Sequence, residues 1–275
     1  MDQTTTPISS HQPIGVFDSG IGGLTVVAEL RRRLPHEAIF YIGDTARVPY
    51  GNKSQATIER YSVEISELLL TRGAKMIVVA CNTASSQALP QLEHVLPVPV
   101  TGVILPGAKA AVARTQNGHI GVIGTRATVR SGAYEKAIHA LAPGVRVTSK
   151  ACPMLVPTIE EGWLQSSITD AIIAEYLGDL TESGIDTLVL GCTHYPLLKK
   201  ALARYLGPDI RLVDSGENCA IAVGELLEKH RLGAPKEAQG SLQVALTDPA
   251  DVFLSVAEEA LGLSVGEIRT AQVQK

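Results

Sequence analysis

The chain has 275 residues, of which 45% are apolar, and it carries a formal net charge of −4. This length is sufficient for two modest α/β domains with a sizeable core. The weakly acidic net charge does not predict binding to nucleic acid or to an anionic membrane surface. No uninterrupted apolar run approaches the roughly 18 residues that a membrane span requires.

The cysteine content and the amino terminus indicate the cellular setting. Four cysteines in a chain of this length do not form a disulfide scaffold, and no pair has the CxxC spacing of zinc or dithiol sites. Residues 1–13 are polar and lack the basic start and apolar stretch of a signal peptide, so they predict a flexible tail. We therefore expect a cytoplasmic protein.

Short apolar runs alternate with amphipathic segments, which indicates strands alternating with helices. We predict strands at residues 14–17, 38–42, 76–80, just before 103, 119–124, 145–151, 186–190, 211–213 and 242–246. We predict helices at residues 24–34, 54–72, 81–92, 125–141, 167–183 and 195–206, with one more on each side of the last strand. Residues 152–163 are predicted to form a loop.

This alternation predicts an α/β fold with parallel sheets that carry helices on both faces. No low-complexity linker marks a boundary, so the crossings are placed at residues 98–107 and 213–216. The first predicted domain is therefore discontinuous, with residues 1–102 and 214–275, and the second comprises residues 103–213.

Two cysteines stand at the junction between a buried strand and a helix. Cys81 follows the apolar run that ends at Ala80, and Cys192 follows the run that ends at Gly191. Helix N-termini offer unpaired N–H groups and a partial positive charge, which lower the pKa of a thiol. The alternative is that both are small buried hydrophobic residues, which is common for free cysteine. Cys152 lacks this context, as does the fourth cysteine, and both are interpreted as structural.

A glycine-rich loop at residues 18–23 follows the first strand and resembles a phosphate loop. It lacks the third glycine of G-x-G-x-x-G, because Thr25 stands at that position. Asp44 ends the second strand, where a ribose-binding acid would lie, so a nucleotide site stays open. The alternatives are a backbone cradle for a small carboxylate and a simple tight turn.

His194 lies two residues after Cys192, close enough in sequence to share a site with that thiol. Histidine titrates near neutral pH and serves as an acid, a base or a packed core residue. Glu160 follows an apolar run, and on its own it is equally consistent with a solvated helix terminus.

Six motifs in combination resemble those of glutamate racemase, within the cofactor-independent amino-acid racemases. They are the segments Asp18-Ser19-Gly20-Ile21-Gly22-Gly23-Leu24, Gly43-Asp44, Pro49-Tyr50-Gly51, Cys81-Asn82-Thr83-Ala84, Gly191-Cys192-Thr193-His194-Tyr195-Pro196 and Asp214-Ser215-Gly216. The similarity runs from about residue 14 to about residue 230.

The resemblance implies two α/β domains related by pseudo-twofold symmetry, with the active site in the cleft between them. It implies interconversion of L- and D-glutamate, which supplies D-glutamate for peptidoglycan synthesis, without pyridoxal phosphate or a metal. Carried onto this chain, Cys81 takes the proton from D-glutamate and Cys192 takes it from L-glutamate. Homologues of this kind are often dimers, so a homodimer is expected.

The remaining residues carried over by the resemblance fall into two groups. Supporting catalytic groups are expected at Asp18, Glu160 and His194. Substrate contacts are expected at Asp18, Ser19, Tyr50, Gly51, Asn82, Thr83, Thr125, Thr193 and His194. Two other functions stay open at this point: an aspartate racemase of the same superfamily, and a two-lobed amino-acid binding protein without catalytic activity.

Overall fold

A computed structural model describes residues 8–249, 254–255, 258–259, 261–263 and 265–273. Its strands are β1 (Ile14–Asp18), β2 (Ile39–Gly43), β3 (Met76–Val79), β4 (Val100–Gly102), β5 (His119–Gly124), β6 (Arg146–Ala151), β7 (Thr187–Gly191), β8 (Arg211–Asp214), β9 (Leu242–Leu246) and β10 (Ile268–Thr270). Its α-helices are α1 (Leu24–Arg33), α2 (Gln55–Thr71), α3 (Asn82–Val95), α4 (Ile104–Arg114), α5 (Arg126–Ser131), α6 (Ala133–Leu141), α7 (Leu155–Glu160), α8 (Ser167–Glu182), α9 (Lys199–Leu206) and α10 (Ser215–His230).

The strands form two separate parallel sheets. The first has the order β10-β9-β2-β1-β3-β4, and the second has the order β6-β5-β7-β8. Every paired strand in both sheets is parallel. The central strands β1, β3, β5 and β7 are buried along their whole length, which accounts for their continuous apolar runs. The predicted α/β class with two parallel sheets is thus confirmed.

The two sheets repeat one strand order. The segment β2-β1-β3-β4 of the first sheet corresponds to β6-β5-β7-β8 of the second, strand for strand. In this correspondence β3 is equivalent to β7, and β1 is equivalent to β5. The residues that follow β3 and β7 therefore occupy equivalent places at the carboxyl edges of their sheets, where parallel sheets bind ligands.

Helices join the two sheets beside this edge. Helix α10 packs against both α1 and α4, so it contacts elements that belong to different sheets. One cluster of buried apolar side chains includes Val16 from the first sheet and Leu190 from the second. The exact domain boundaries at residues 102 and 213 stay a prediction.

Several predicted elements differ from the structure. Helix α4 was not predicted, and α7 was predicted as a loop; each of these helices contains a proline. Pro106 and Pro157 both lie in the first turn of their helices, where a missing N–H costs no hydrogen bond. The predicted helix at 125–141 divides at Gly132, which adopts a left-handed conformation with φ 63°. The short strand β10 was not predicted.

The described amino-terminal residues pack on the fold, and the carboxyl-terminal region is described only in part. Within the predicted tail, the described residues 8–13 are attached to the fold, because the Ser10 carbonyl accepts a hydrogen bond from Lys75 Nζ at 2.6 Å. The predicted last helix, after β9, lies largely outside the described residues. Within the part of the chain that is described, no helix is both long and apolar enough to cross a membrane.

Candidate active site

Each of the two cysteines sits at a sharp change of direction after a central strand. Cys81 is the N-cap residue of α3, and its sulfur accepts a hydrogen bond from the Ala84 N–H at 3.5 Å. Cys192 follows β7 directly and precedes a 3-10 turn (Tyr195–Leu198) that leads into α9. Both thiols are buried, with exposed fractions of 4% and 5%.

The two thiols line one cavity of about 190 Å³ between the carboxyl edges of the sheets. This volume is below the roughly 300–1,000 Å³ of sites for drug-sized ligands, so the cavity suits a molecule of amino-acid size. Of the predicted site residues, all but one line it: Ser19, Tyr50, Gly51, Cys81, Asn82, Thr83, Thr125, Glu160, Cys192, Thr193 and His194.

Asp18 is the exception to this grouping. It ends β1, is fully buried and does not line the cavity, so its contact with the substrate stays a prediction. Its Oδ2 accepts hydrogen bonds from the Gly23 N–H at 2.6 Å and from Thr193 Oγ1 at 3.3 Å. Its Oδ1 has no hydrogen-bond partner among the described residues. Asp18 therefore acts on the site through its charge and through Thr193.

The surroundings of Cys81 favour the protonated thiol. Burial, and then the nearby charge of Asp18, raise the pKa of Cys81 far above its usual value. The Ala84 N–H and the hydroxyl of Ser19, which lies 3.6 Å from the sulfur, lower it only in part. The expectation that a helix N-terminus lowers this pKa is wrong for Cys81, because desolvation outweighs the N–H groups.

The sulfur of Cys192 has a histidine beside it. His194 Nδ1 lies 3.8 Å from the Cys192 sulfur, and His194 Nε2 lies 3.0 Å from Glu160 Oε1. Burial lowers the pKa of His194, but the hydrogen bonds to Cys192 and Glu160 outweigh burial and raise it to about 10. The imidazole is therefore cationic at neutral pH.

The start of the first helix after β1, and of the first helix after β5, contacts the segment that follows the cysteine of the other sheet. After β1, Thr25 Oγ1 donates a hydrogen bond to the Thr193 carbonyl at 3.0 Å. After β5, Thr125 Oγ1 lies 3.0 Å from Thr83 Oγ1, and Thr128 Oγ1 lies 3.3 Å from the same oxygen. These crossed contacts fix residues 83 and 193, which follow the two cysteines, relative to each other.

Asn82 is held from the opposite sheet in the same way. The buried Tyr134 of α6 donates a hydrogen bond to Asn82 Oδ1 at 2.7 Å. The amide Nδ2 of Asn82 lies 3.5 Å from Ser215 Oγ, at the start of α10. The side chain that follows Cys81 in the sequence thus has its orientation set by residues outside its own sheet.

The glycine-rich loop and Asp44 do not form a nucleotide site. A β-carbon on Gly22 would lie 2.5 Å from His194 Nδ1, so this glycine permits close packing of the two halves. The Asp44 carboxylate is fully buried, accepts hydrogen bonds from protein side chains and does not line the cavity. The ribose-binding role considered for Asp44 is therefore contradicted.

Sequence reasoning missed part of the cavity wall. Outside the six motifs, the lining residues that were missed are Val48, Asn52, Arg126, Pro153, Val156 and Pro157. Three of them adjoin predicted positions or motifs, and a search of flanking residues would have found them. The other three belong to the segment that was predicted as a loop rather than as helix α7 and its approach.

The described residues also bear on metal binding. Within them, no group of three or more His, Cys, Asp or Glu side chains is arranged to hold a metal ion. The polar groups at the cavity are two thiols, hydroxyls, two amides, the Arg126 guanidinium and the pair formed by His194 and Glu160. These groups suit proton transfer and the binding of carboxylate and ammonium groups.

Comparisons with known proteins agree with this geometry. Residues 24–222 match the family model described as Asp/Glu/Hydantoin racemase. A glutamate racemase from Geobacter metallireducens is 49% identical over 255 residues, which cover 93% of this chain and 94% of that protein. The crystal structure of a glutamate racemase isoform from Bacillus anthracis superposes with a TM-score of 0.91, at 39% identity, covering 96% of this chain and 98% of that one. The glutamate racemase from Francisella tularensis, solved in complex with D-glutamate, gives a TM-score of 0.89 at 36% identity, with the same two coverages.

Proposed function

The chain belongs to the Asp/Glu/hydantoin racemase family, and on this premise we propose that it interconverts L- and D-glutamate by proton transfer at Cα between two thiols. The observation that carries the proposal is the position of Cys81 and Cys192. They follow equivalent strands of two sheets and line one cavity of amino-acid size.

Racemisation requires that a proton leave one face of Cα and that another arrive on the opposite face. Two groups that flank the carbon achieve this and exchange roles with the direction of the reaction. For L-glutamate, the Cys192 thiolate takes the α-proton and becomes a thiol. Cys81 then donates its proton to the other face, which yields D-glutamate and leaves Cys81 as the thiolate. The reverse reaction begins from that state.

The surroundings of the two sulfurs differ. Burial and the charge of Asp18 raise the pKa of the Cys81 thiol and favour its protonated form, whereas His194 lies beside the sulfur of Cys192. Cys81 therefore serves as the proton donor when L-glutamate is the substrate, and it must lose its proton before it takes one from D-glutamate.

The carbanion formed at Cα spreads its charge onto the substrate carboxylate, and this charge must be stabilised in a dry site. Hydroxyl and amide donors that line the cavity serve this purpose: Asn82, Thr83 and Thr193 adjoin the thiols in sequence, and Ser19 lies 3.6 Å from the Cys81 sulfur. The crossed threonine contacts hold Thr83 and Thr193 in place before the substrate binds. Such preorganisation lowers the barrier without reorganisation during the reaction.

The proposal extends to the biological role. The D-glutamate formed supplies peptidoglycan synthesis, and we place the reaction in the cytoplasm. A homodimer stays a prediction, which size-exclusion chromatography with light scattering would check.

The decisive test is polarimetry or circular dichroism of the purified protein with L-glutamate, without any added cofactor. We expect the optical signal to decay to zero, because the two enantiomers have equal free energy. A constant signal would refute the proposal and favour an amino-acid binding protein. Decay of the optical signal with L-aspartate but not with L-glutamate would identify the protein as an aspartate racemase.

A further inference from the structure

Asp44 follows β2 and has a buried carboxylate that the chemistry above does not use. Its Oδ2 accepts hydrogen bonds from Arg47 Nε at 2.7 Å and from the hydroxyl of Tyr50. Its Oδ1 accepts one from Thr247 Oγ1 at 3.0 Å. Three donors from different points of the chain therefore converge on one buried acceptor, and two of them lie within six residues of it in the sequence.

The loop that these bonds fix is a wall of the cavity. Residues 48–52 all line the cavity, and Tyr50 and Gly51 are the members for which substrate contact was predicted. Tyr50 is almost fully buried, and burial followed by the charge of Asp44 raises the pKa of its phenol far above the usual value. The phenol therefore stays protonated and keeps donating to Asp44.

The same network ties the wall to two further elements. Arg47 also pairs with Glu64 on α2, and its guanidinium lies 4.0 Å from the ring centroid of Tyr61 on the same helix. Thr247 follows β9, at the side of the sheet that extends beyond the repeated strand order. The loop is thereby attached both to helix α2 and to the end of strand β9.

We propose that Asp44 is a positioning residue that sets the affinity for the amino-acid substrate by holding Tyr50 and Gly51 in the cavity wall. This inference rests on the proposed racemase function. Within the described residues, neither cysteine sulfur has a recorded hydrogen bond to residues 48–52. A displaced wall therefore weakens the binding of the substrate and of the transition state equally, which raises KM and leaves kcat unchanged.

The test measures kcat and KM in both directions for Asp44→Asn, Thr247→Val and the double variant. Asp44→Asn keeps the shape of the side chain but replaces one acceptor oxygen by an NH2 group. We expect it to raise KM by roughly tenfold, the factor of a lost hydrogen bond to a charged group, with kcat within about twofold. Thr247→Val removes a donor to the same carboxylate. The rise in KM for the double variant should therefore be smaller than the product of the rises for the two single variants.

Ser54→Ala is the matched control, because it removes the N-cap of α2 close to the wall and touches no member of the network. It should lower the melting temperature and leave KM unchanged. An equal rise in KM for Ser54→Ala, an unchanged KM for Asp44→Asn, or a loss confined to kcat would overturn the inference. If Asp44→Asn does not fold, the KM and kcat of Thr247→Val test the inference instead. An inactive wild-type protein would refute the proposed function, whereas an active one with unchanged KM in these variants refutes only the role of Asp44.

Discussion

Gly22 lies so close to His194 that a β-carbon on residue 22 would stand 2.5 Å from the imidazole Nδ1 and 2.7 Å from Thr193 Oγ1. Real β-carbons essentially never approach other atoms this closely, so Gly22→Ala must displace the cysteine loop of the other half. We expect a loss of at least about a hundredfold in kcat/KM, because misplacement of a catalytic group by 1 Å costs that much.

The control for Gly22→Ala is Gly144→Ala. A β-carbon there meets nothing within 4 Å, and Gly144 is remote from the cavity lining. Racemisation rates should match the wild type for Gly144→Ala. Full activity in Gly22→Ala would show that the His194 contact does not control the geometry of the thiol.

The two thiols have separable roles that isotope exchange distinguishes. Cys81→Ser and Cys192→Ser should each lower racemisation by more than about a thousandfold, since each removes one of two required acid–base groups. In heavy water, Cys81→Ser should still exchange the α-proton of L-glutamate without inverting it, because Cys192 is retained. Cys192→Ser should do the same with D-glutamate only.

Cys219→Ala serves as the control for these variants, because Cys219 is buried in α10 and does not line the cavity. It should retain racemase activity, and far-ultraviolet circular dichroism should show that all three variants fold. Racemisation at the wild-type rate in either serine variant would remove that thiol from the mechanism.

The pair formed by His194 and Glu160 predicts a pH dependence. The pKa of His194 is raised to about 10 in the folded protein, against about 6.5 for an unperturbed histidine. The charged imidazole therefore stabilises the fold fully below pH 6.5, and this contribution is lost as the pH rises through about 10. Chemical denaturation from pH 6 to 10.5 should show this decline in the wild type and a smaller one in His194→Asn.

The charge of the His194 imidazole should also control the pH dependence of racemase activity. Glu160→Gln removes a hydrogen-bonding anion that raises the pKa of His194, so the alkaline limb of the kcat/KM profile should move to lower pH. Because the equilibrium constant of racemisation is one, the shift must be identical in both directions. If the alkaline limb does not move, the group that titrates there is not His194.

A buried ion pair outside the cavity predicts an effect on stability alone. Lys75 Nζ lies 2.6 Å from Glu37 Oε2, and Glu37 Oε1 accepts a hydrogen bond from the Ala234 N–H at 2.7 Å. Glu37→Gln leaves the buried Lys75 charge without a counterion, which costs about 3–5 kcal/mol of unfolding free energy. Urea denaturation measures this loss, and KM for glutamate should stay unchanged.

Arg32→Ala, at the exposed pair with Glu29, gives the comparison for this effect. Exposed ion pairs contribute little, so no measurable change in stability is expected there. If both variants lose the same stability, the buried pair has no special role in holding residues 10 and 234 to the sheet.

The sequence predicted those parts of the fold in which local pattern and tertiary environment agree. The run Met76–Val79 is apolar because β3 is buried on both faces, and Ser54 caps α2 through the Thr57 N–H as its position indicates. The strand ends were therefore located, and most of the site residues predicted at them line one cavity. The motifs also indicated the family to which the comparisons assign the chain.

The errors have physical causes that a single sequence does not reveal. The segment around Pro157 was predicted as a loop, although a proline in the first helical turn is tolerated. The pKa of Cys81 was expected to fall, but its direction depends on burial and on Asp18, which belongs to another strand. The role of Asp44 depends on Thr247, which lies about 200 positions away in the chain.

The crossed threonine contacts have a mechanical consequence. Thr25 of α1 holds the Thr193 carbonyl, while Thr125 and Thr128 at the start of α5 hold Thr83 in the first turn of α3. We expect a rotation of one half against the other to break both sets of contacts at once. The residues that follow the two cysteines would then be released together.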